Sequence, residues 1–132
     1  MPQSCSRIIL HTLLSTENRV PIIDKAVRGE LHAYMVSLFH NRGCHVFGIN
    51  SVPDHIHIVH SLPRTVTLAA VIADVKKFSS AWIKTKGLKN RRFGWQDGYT
   101  SYSADYRRLN GLLEYVSNQH DHRGYMGEKC TL

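Results

Sequence analysis

Residues 44–61, CHVFGINSVPDHIHIVHS, constrain the fold more than any other stretch. Two runs rich in Val, Ile and Phe flank the turn tripeptide Val52-Pro53-Asp54. They read as strands over 44–52 and 55–61, closed into a hairpin. In the second run histidines and isoleucines alternate: His55, Ile56, His57, Ile58. Side chains two residues apart on a strand leave the same face, so His55 and His57 share one face and Ile56 and Ile58 the other. His60 is three residues past His57 and out of phase with the pair.

A lone hairpin is not stable in water, so the rest of the chain must supply its partners. SRIILHTLLST, residues 6–16, reads as a buried strand. Asp24 is placed to cap a helix from Lys25, with Val27, Leu31, Tyr34, Met35 and Leu38 at helical spacing and Gly43 as its stop. Residues 64–85 predict a second helix, striped by Leu68, Val71, Ile72, Val75, Phe78 and Trp82. A Gly-containing basic loop follows over 86–98, then a short strand over 99–103 and a third helix over 107–122. The order β-α-β-β-α-β-α predicts an α+β fold. It is a ferredoxin-like, RRM-like antiparallel sheet with helices on one face, plus a C-terminal tyrosine-bearing helix. The 132 residues suit one domain over 1–132, with about 123–132 a loose tail.

Other classes are disfavoured. At 42% hydrophobic the chain is globular, and no apolar run approaches the roughly 20 residues of a membrane span. MPQSCSRIIL lacks the pattern of a signal peptide. Cys5, Cys44 and Cys130 form no disulfide framework, so a reducing cytoplasm is expected.

Charge points to a partner. The net charge is +7, and no acid lies between Asp74 and Asp97. That interval holds Lys76, Lys77, Lys84, Lys86, Lys89, Arg91 and Arg92. Such a block suits a polyanion, either nucleic acid or an anionic membrane, or is simply a solvated surface.

Two neighbouring imidazoles on a rigid strand form a natural metal-ligand pair, although a polar pair on a wet strand face would look the same. The last helix offers partners. Its stripe is Leu109, Leu112, Leu113 and Val116. At about 100° per residue, Tyr115 lies roughly 110° from the stripe's centre. Gln119, four residues on, shares that flank, as does His122. A boundary tyrosine with its ring on the core fits equally well.

STENR after the first strand, VPDHIHIVHSLP at the pair, FGWQDGYTSYS before the last helix and YVSNQHDH within it occur in this order. Together they resemble the IS200/IS605-type single-tyrosine HUH transposases over most of the chain. The resemblance implies a single-stranded DNA transposase in a bacterial or archaeal cell, associated with the nucleoid when acting. Tyr115 would be the nucleophile, cleaving and rejoining transposon-end DNA through a 5′-phosphotyrosine. His55, His57 and Gln119 would hold a divalent metal, Mg²⁺ or Mn²⁺. The lysines and arginines of the basic interval would hold the DNA backbone. Phe93, Trp95 and Tyr99 would stack on bases, with Trp95 equally placed for the core or a dimer interface. The partners implied are single-stranded DNA with subterminal hairpins, and a second copy in a homodimer with composite, trans active sites. No membrane is expected. Relative to the family the tail GYMGEKCTL is short, and Asp121 separates His120 from His122. Two alternatives are a related HUH nickase acting on host palindromic repeats and a non-enzymatic single-stranded nucleic-acid binder.

Overall fold

The structure, a computed structural model, describes residues 5–87 and 90–118. Strand β1 spans Ile9–Ser15 and helix α1 Lys25–Asn41. The hairpin is β2, Val46–Val52, and β3, His55–Ser61. Helix α2 spans Leu68–Ile83, β4 Thr100–Ala104 and α3 Leu109–Ser117. The four strands pair antiparallel in the order β2-β3-β1-β4. This is the α+β, ferredoxin-like arrangement expected, with the C-terminal helix added.

Local chemistry sets the helix ends. Asp24 accepts from the Ala26 N–H at 3.1 Å and starts α1, and Thr67 accepts from the Ala70 N–H at 3.1 Å and starts α2. Gly43, at φ +82°, turns the chain out of α1 in a conformation that few other residues adopt cheaply. A short turn of 3-10 helix, Tyr106–Arg108, leads into α3. The predicted helix over 107–122 thus begins at Leu109, and residues 119–122 lie outside the described residues.

Helices α1 and α2 cover one face of the sheet. There Leu14, Ile56 and Ile58 pack with Leu31, Met35, Phe39, Val71, Ile72 and Val75. The stripe on α2 differs from expectation at one position. Phe78 is exposed, with the Arg42 guanidinium and the Lys77 ammonium over its ring. Ser79 is buried in its stead, its hydroxyl bonding to the Val75 carbonyl.

Helix α3 covers the opposite face. Leu109, Leu112, Leu113, Tyr115 and Val116 pack there with Phe47, Ile9 and Val59. The β2–β3 register shifts between Val46 and Gly48, making Phe47 the extra residue of a bulge. A Cβ added at Gly48 would stand 2.8 Å from Leu113 Cδ2, so glycine there lets α3 sit close.

Candidate catalytic site

Strand β3 separates its side chains as the alternation predicts. Ile56, Ile58 and His60 face α1 and α2. His60 is buried there against Phe39 and bonds to the Thr12 hydroxyl at 2.8 Å. It belongs to the core, in keeping with its phase. His55 and His57 face the α3 side, with ring centroids 5.1 Å apart. His57 is only 1% exposed, so this pair is no ordinary wet strand face.

Both imidazoles are tied at Nδ1. His55 Nδ1 lies 2.7 Å from Asp54 Oδ1, and Arg19 Nε donates to the other carboxylate oxygen at 3.2 Å. His57 Nδ1 lies 2.9 Å from His11 Nε2 on the neighbouring strand. Burial, reinforced by His11 and His55 nearby, pushes the His57 pKa down to about 2. Burial, with His60 nearby, pushes that of His11 down to about 4. Burial would raise the Asp54 pKa, but its bond to His55 and the charges of His55 and Arg19 outweigh this and lower it. The pair is therefore a neutral imidazole held beside a carboxylate-anchored one.

Asn50 sits opposite His57 in the β2–β3 register. Its amide donates to the carbonyls of Val116 at 3.1 Å and Ser117 at 3.0 Å. These are last-turn carbonyls of α3, which lack partners inside the helix. Asn50 thus pins the end of α3 that carries Tyr115 onto the strand beside the imidazole pair. Tyr115 itself is half-buried and packs in the cluster around Val59, two residues from His57 on the same face.

Sequence reasoning missed His11 and Asn50. His11 alternates with Ile9 and Leu13, but only the β1–β3 register shows which face it shares. Asn50 lies two residues from Gly48, and that pairing of a bare position with an amide was its one local signal.

The residues fit a divalent cation. Each imidazole spends Nδ1 on a neighbour and keeps Nε2, and metal-bound histidines are usually held in this way. Among the described residues no group of three or more His, Cys, Asp or Glu is arranged to hold a metal, so the protein donors end at two imidazoles there. Gln119, the expected third ligand, lies outside the described residues.

The expected DNA surface divides. Trp95 is buried, edge-on to buried Phe93, and its indole N–H donates to Ser79 Oγ at 2.9 Å. Neither ring has a free face for a base, which corrects the stacking expectation for both. The reason is tertiary: Trp95 bridges to Thr16 and closes the edge of the core. Lys76 is spent on the loop carbonyls of Gln96, at 2.7 Å, and Gly98, and burial lowers its pKa. Lys86 pairs with Glu30 at 3.5 Å and lies over the Trp82 ring. Lys77, Lys84, Arg91, Arg92 and Tyr99 are exposed, and Lys89 is outside the described residues. These cations sit on and after α2, which packs on the face away from the imidazole pair.

Comparison with known proteins bears on the whole chain. No curated protein matches it significantly in sequence. A crystal structure of a candidate transposase from Deinococcus radiodurans R1 superposes with a TM-score of 0.70 at 14% identity, covering 90% of this chain and 98% of that one. The structure of a REP-associated tyrosine transposase bound to a REP hairpin gives 0.66 at 15% identity, covering 95% and 76%. No helix among the described residues is long and apolar enough to cross a membrane. The family model described as "Transposase IS200 like" matches residues 4–119, nearly the full chain, and the protein therefore belongs to the IS200-like transposases.

Proposed function

We propose that this chain is a metal-assisted, single-stranded DNA transposase in which Tyr115 is the nucleophile. The observation that carries the reading is the pinning of the tyrosine helix, through Asn50, onto the strand position opposite His57. A non-enzymatic sheet surface for stacking bases has no such support, because α3 covers that face.

In the proposed reaction the Tyr115 phenol oxygen attacks the scissile phosphorus and forms the P–O bond. The phenol proton is released, the P–O3′ bond breaks, and the 3′-oxygen leaves as a hydroxyl after taking up a proton in its place. The phosphate stays on Tyr115 as a 5′-phosphotyrosine, so the bond energy is kept for rejoining. Attack by a 3′-hydroxyl on that linkage reverses the step and releases the phenol.

His55, His57 and Gln119 would hold the cation. When bound, it withdraws charge from the phosphate and offsets the weak nucleophilicity of a phenol whose ordinary pKa is near 10. Two imidazoles and one amide oxygen suit Mn²⁺ better than Mg²⁺, which prefers oxygen donors. Exposed Lys77, Lys84, Arg91 and Arg92 would hold backbone phosphates of a hairpin, the DNA form on the REP-associated relative.

The resemblance also implies a homodimer with tyrosine helices exchanged between copies. The seat made by Gly48 and Asn50 supports assembly of Tyr115 on its own chain. Mixing two inactive variants, Tyr115→Phe and His57→Ala, separates the arrangements. Restored activity means exchange, and continued inactivity means that each chain completes its own site.

The reading is tested with labelled single-stranded hairpins, including those flanking the gene, in Mn²⁺ or Mg²⁺. A covalent protein–DNA adduct on a denaturing gel is expected, lost with chelator and in Tyr115→Phe. An adduct that survives Tyr115→Phe would sink the assignment of the nucleophile.

A further inference from the structure

Each imidazole of the pair is held at Nδ1 by a residue with no role in the reaction so far. The bond between His55 and Asp54 has one possible direction while the carboxylate is ionised: the imidazole donates from Nδ1 and the carboxylate accepts. Arg19 on the other carboxylate oxygen favours that ionised form. In the neutral ring, which is the ligating form, His55 Nε2 is then left without a proton.

The His57–His11 bond is different, because a 2.9 Å separation does not say which ring donates. If His11 donates, His57 carries its proton on Nε2 and has no lone pair there for a cation. If His57 donates, its Nε2 is left bare, as in His55. Only the second assignment gives two imidazoles in the same ligating form. His11 is held in place beside His57. It is 4% exposed on a central strand, opposite Val59 on one side and Tyr102 on the other. Asp54 is fixed as firmly: its backbone carbonyl accepts from the Thr16 N–H at 3.0 Å and from the Thr16 hydroxyl at 3.2 Å.

We infer that His11 and Asp54 are positioning residues, which accept the Nδ1 protons of His57 and His55 and so keep both Nε2 atoms bare for a divalent cation. This rests on the metal-assisted reading of the site. It assigns His11 a role as acceptor and not as a third ligand, since its Nε2 is already committed to His57.

The test uses the full chain, labelled with ¹⁵N at histidine and free of metal. Long-range ¹H–¹⁵N spectra report which nitrogen of each ring is protonated. His55 and His57 should both show Nδ1–H. Mn²⁺ affinity is then measured from the electron paramagnetic resonance signal of the free ion. His11→Phe, which keeps the volume and loses the acceptor, should bind Mn²⁺ about 10–100-fold more weakly. His11→Gln, whose amide oxygen can accept near the Nε2 position, should recover most of that loss. Asp54→Ala should weaken binding similarly without altering the His57 tautomer. A wild-type His57 protonated at Nε2 overturns the proposal. So does a folded His11→Phe with unchanged Mn²⁺ affinity, or a wild-type chain with none. If the variant fails to fold, the wild-type tautomer decides alone. The wider reading fails separately: correct tautomers and Mn²⁺ binding with no covalent adduct on any flanking hairpin would leave the positioning roles standing and remove the transposase mechanism.

Discussion

Replacing Asn50 with leucine should loosen the tyrosine-bearing helix without touching a proposed metal ligand. The side chain is kept to similar size, but the two bonds to the Val116 and Ser117 carbonyls disappear. A neutral hydrogen bond contributes about 0.5–1.5 kcal/mol net, so the pair is worth about 1–3 kcal/mol of docking. At about 1.4 kcal/mol per factor of ten, this is roughly a 5-fold to 150-fold shift toward the undocked state. Helix α3 has nine residues, below the roughly 12–15 at which an isolated helix becomes even marginal in water. Undocked, it should melt, and its amides should exchange with solvent. Native-state hydrogen exchange is therefore the assay. Amides of α3 should lose protection by that same factor, while those of β1 and β3 keep theirs. Adduct formation in a single turnover should fall by no more than that factor. Unchanged exchange in α3 would refute the view that Asn50 seats the helix.

Acid should weaken the fold well before carboxylates titrate. His11 and His57 are held neutral by burial, with pKa values near 4 and 2 in the folded chain against 6.5 when exposed. Below pH 6.5 the unfolded chain takes up protons that the folded one refuses. Stability should thus fall by up to about 1.4 kcal/mol per pH unit for each group, down to about pH 4 for His11 and further for His57. Melting temperatures at pH 7 and pH 5 check this, and equal values would contradict it. Trp95→Ala should cost about 3–5 kcal/mol in a denaturant titration, as a core residue does, while the folded fraction keeps its affinity for hairpin DNA. Reversing Arg91 and Arg92 to glutamate should flatten the salt dependence of DNA binding, by about 0.7 in log–log slope for each single-strand phosphate no longer neutralised. An unchanged slope would remove these two from the DNA surface.

The imidazole pair was legible because both its signals are local. A period of two sets the phase of His55 and His57, and the same period sends His60 to the core. The stripe of α3 was legible for the same reason, with Leu109, Leu112, Leu113 and Val116 all in the cluster on β3's outer face. What escaped depends on pairing between distant segments. His11 reads as one polar residue in an apolar strand until β1 and β3 are placed in register. Trp95 reads as an aromatic in a basic loop until its bridge to Thr16 and its bond to Ser79 draw it inward. Phe78 fits the helical stripe better than Ser79 by hydropathy. Ser79 is nevertheless inside, where its hydroxyl bonds back along the helix and receives the indole N–H.

The two sides of β3 answer to different physical demands. Ile56 and Ile58 hold the larger core, and changing either endangers folding whatever the protein does. His57 and His11 lie buried in rows where an aliphatic residue would pack without the cost of a desolvated polar ring. Their presence therefore opposes stability, as functional groups often do. Copies of the gene released from any need to move DNA should drift first at positions 11, 55 and 57, toward valine or leucine, while 56 and 58 stay isoleucine-like. The ratio of substitutions at positions 11, 55 and 57 to those at 56 and 58 would then date the loss of activity in each lineage.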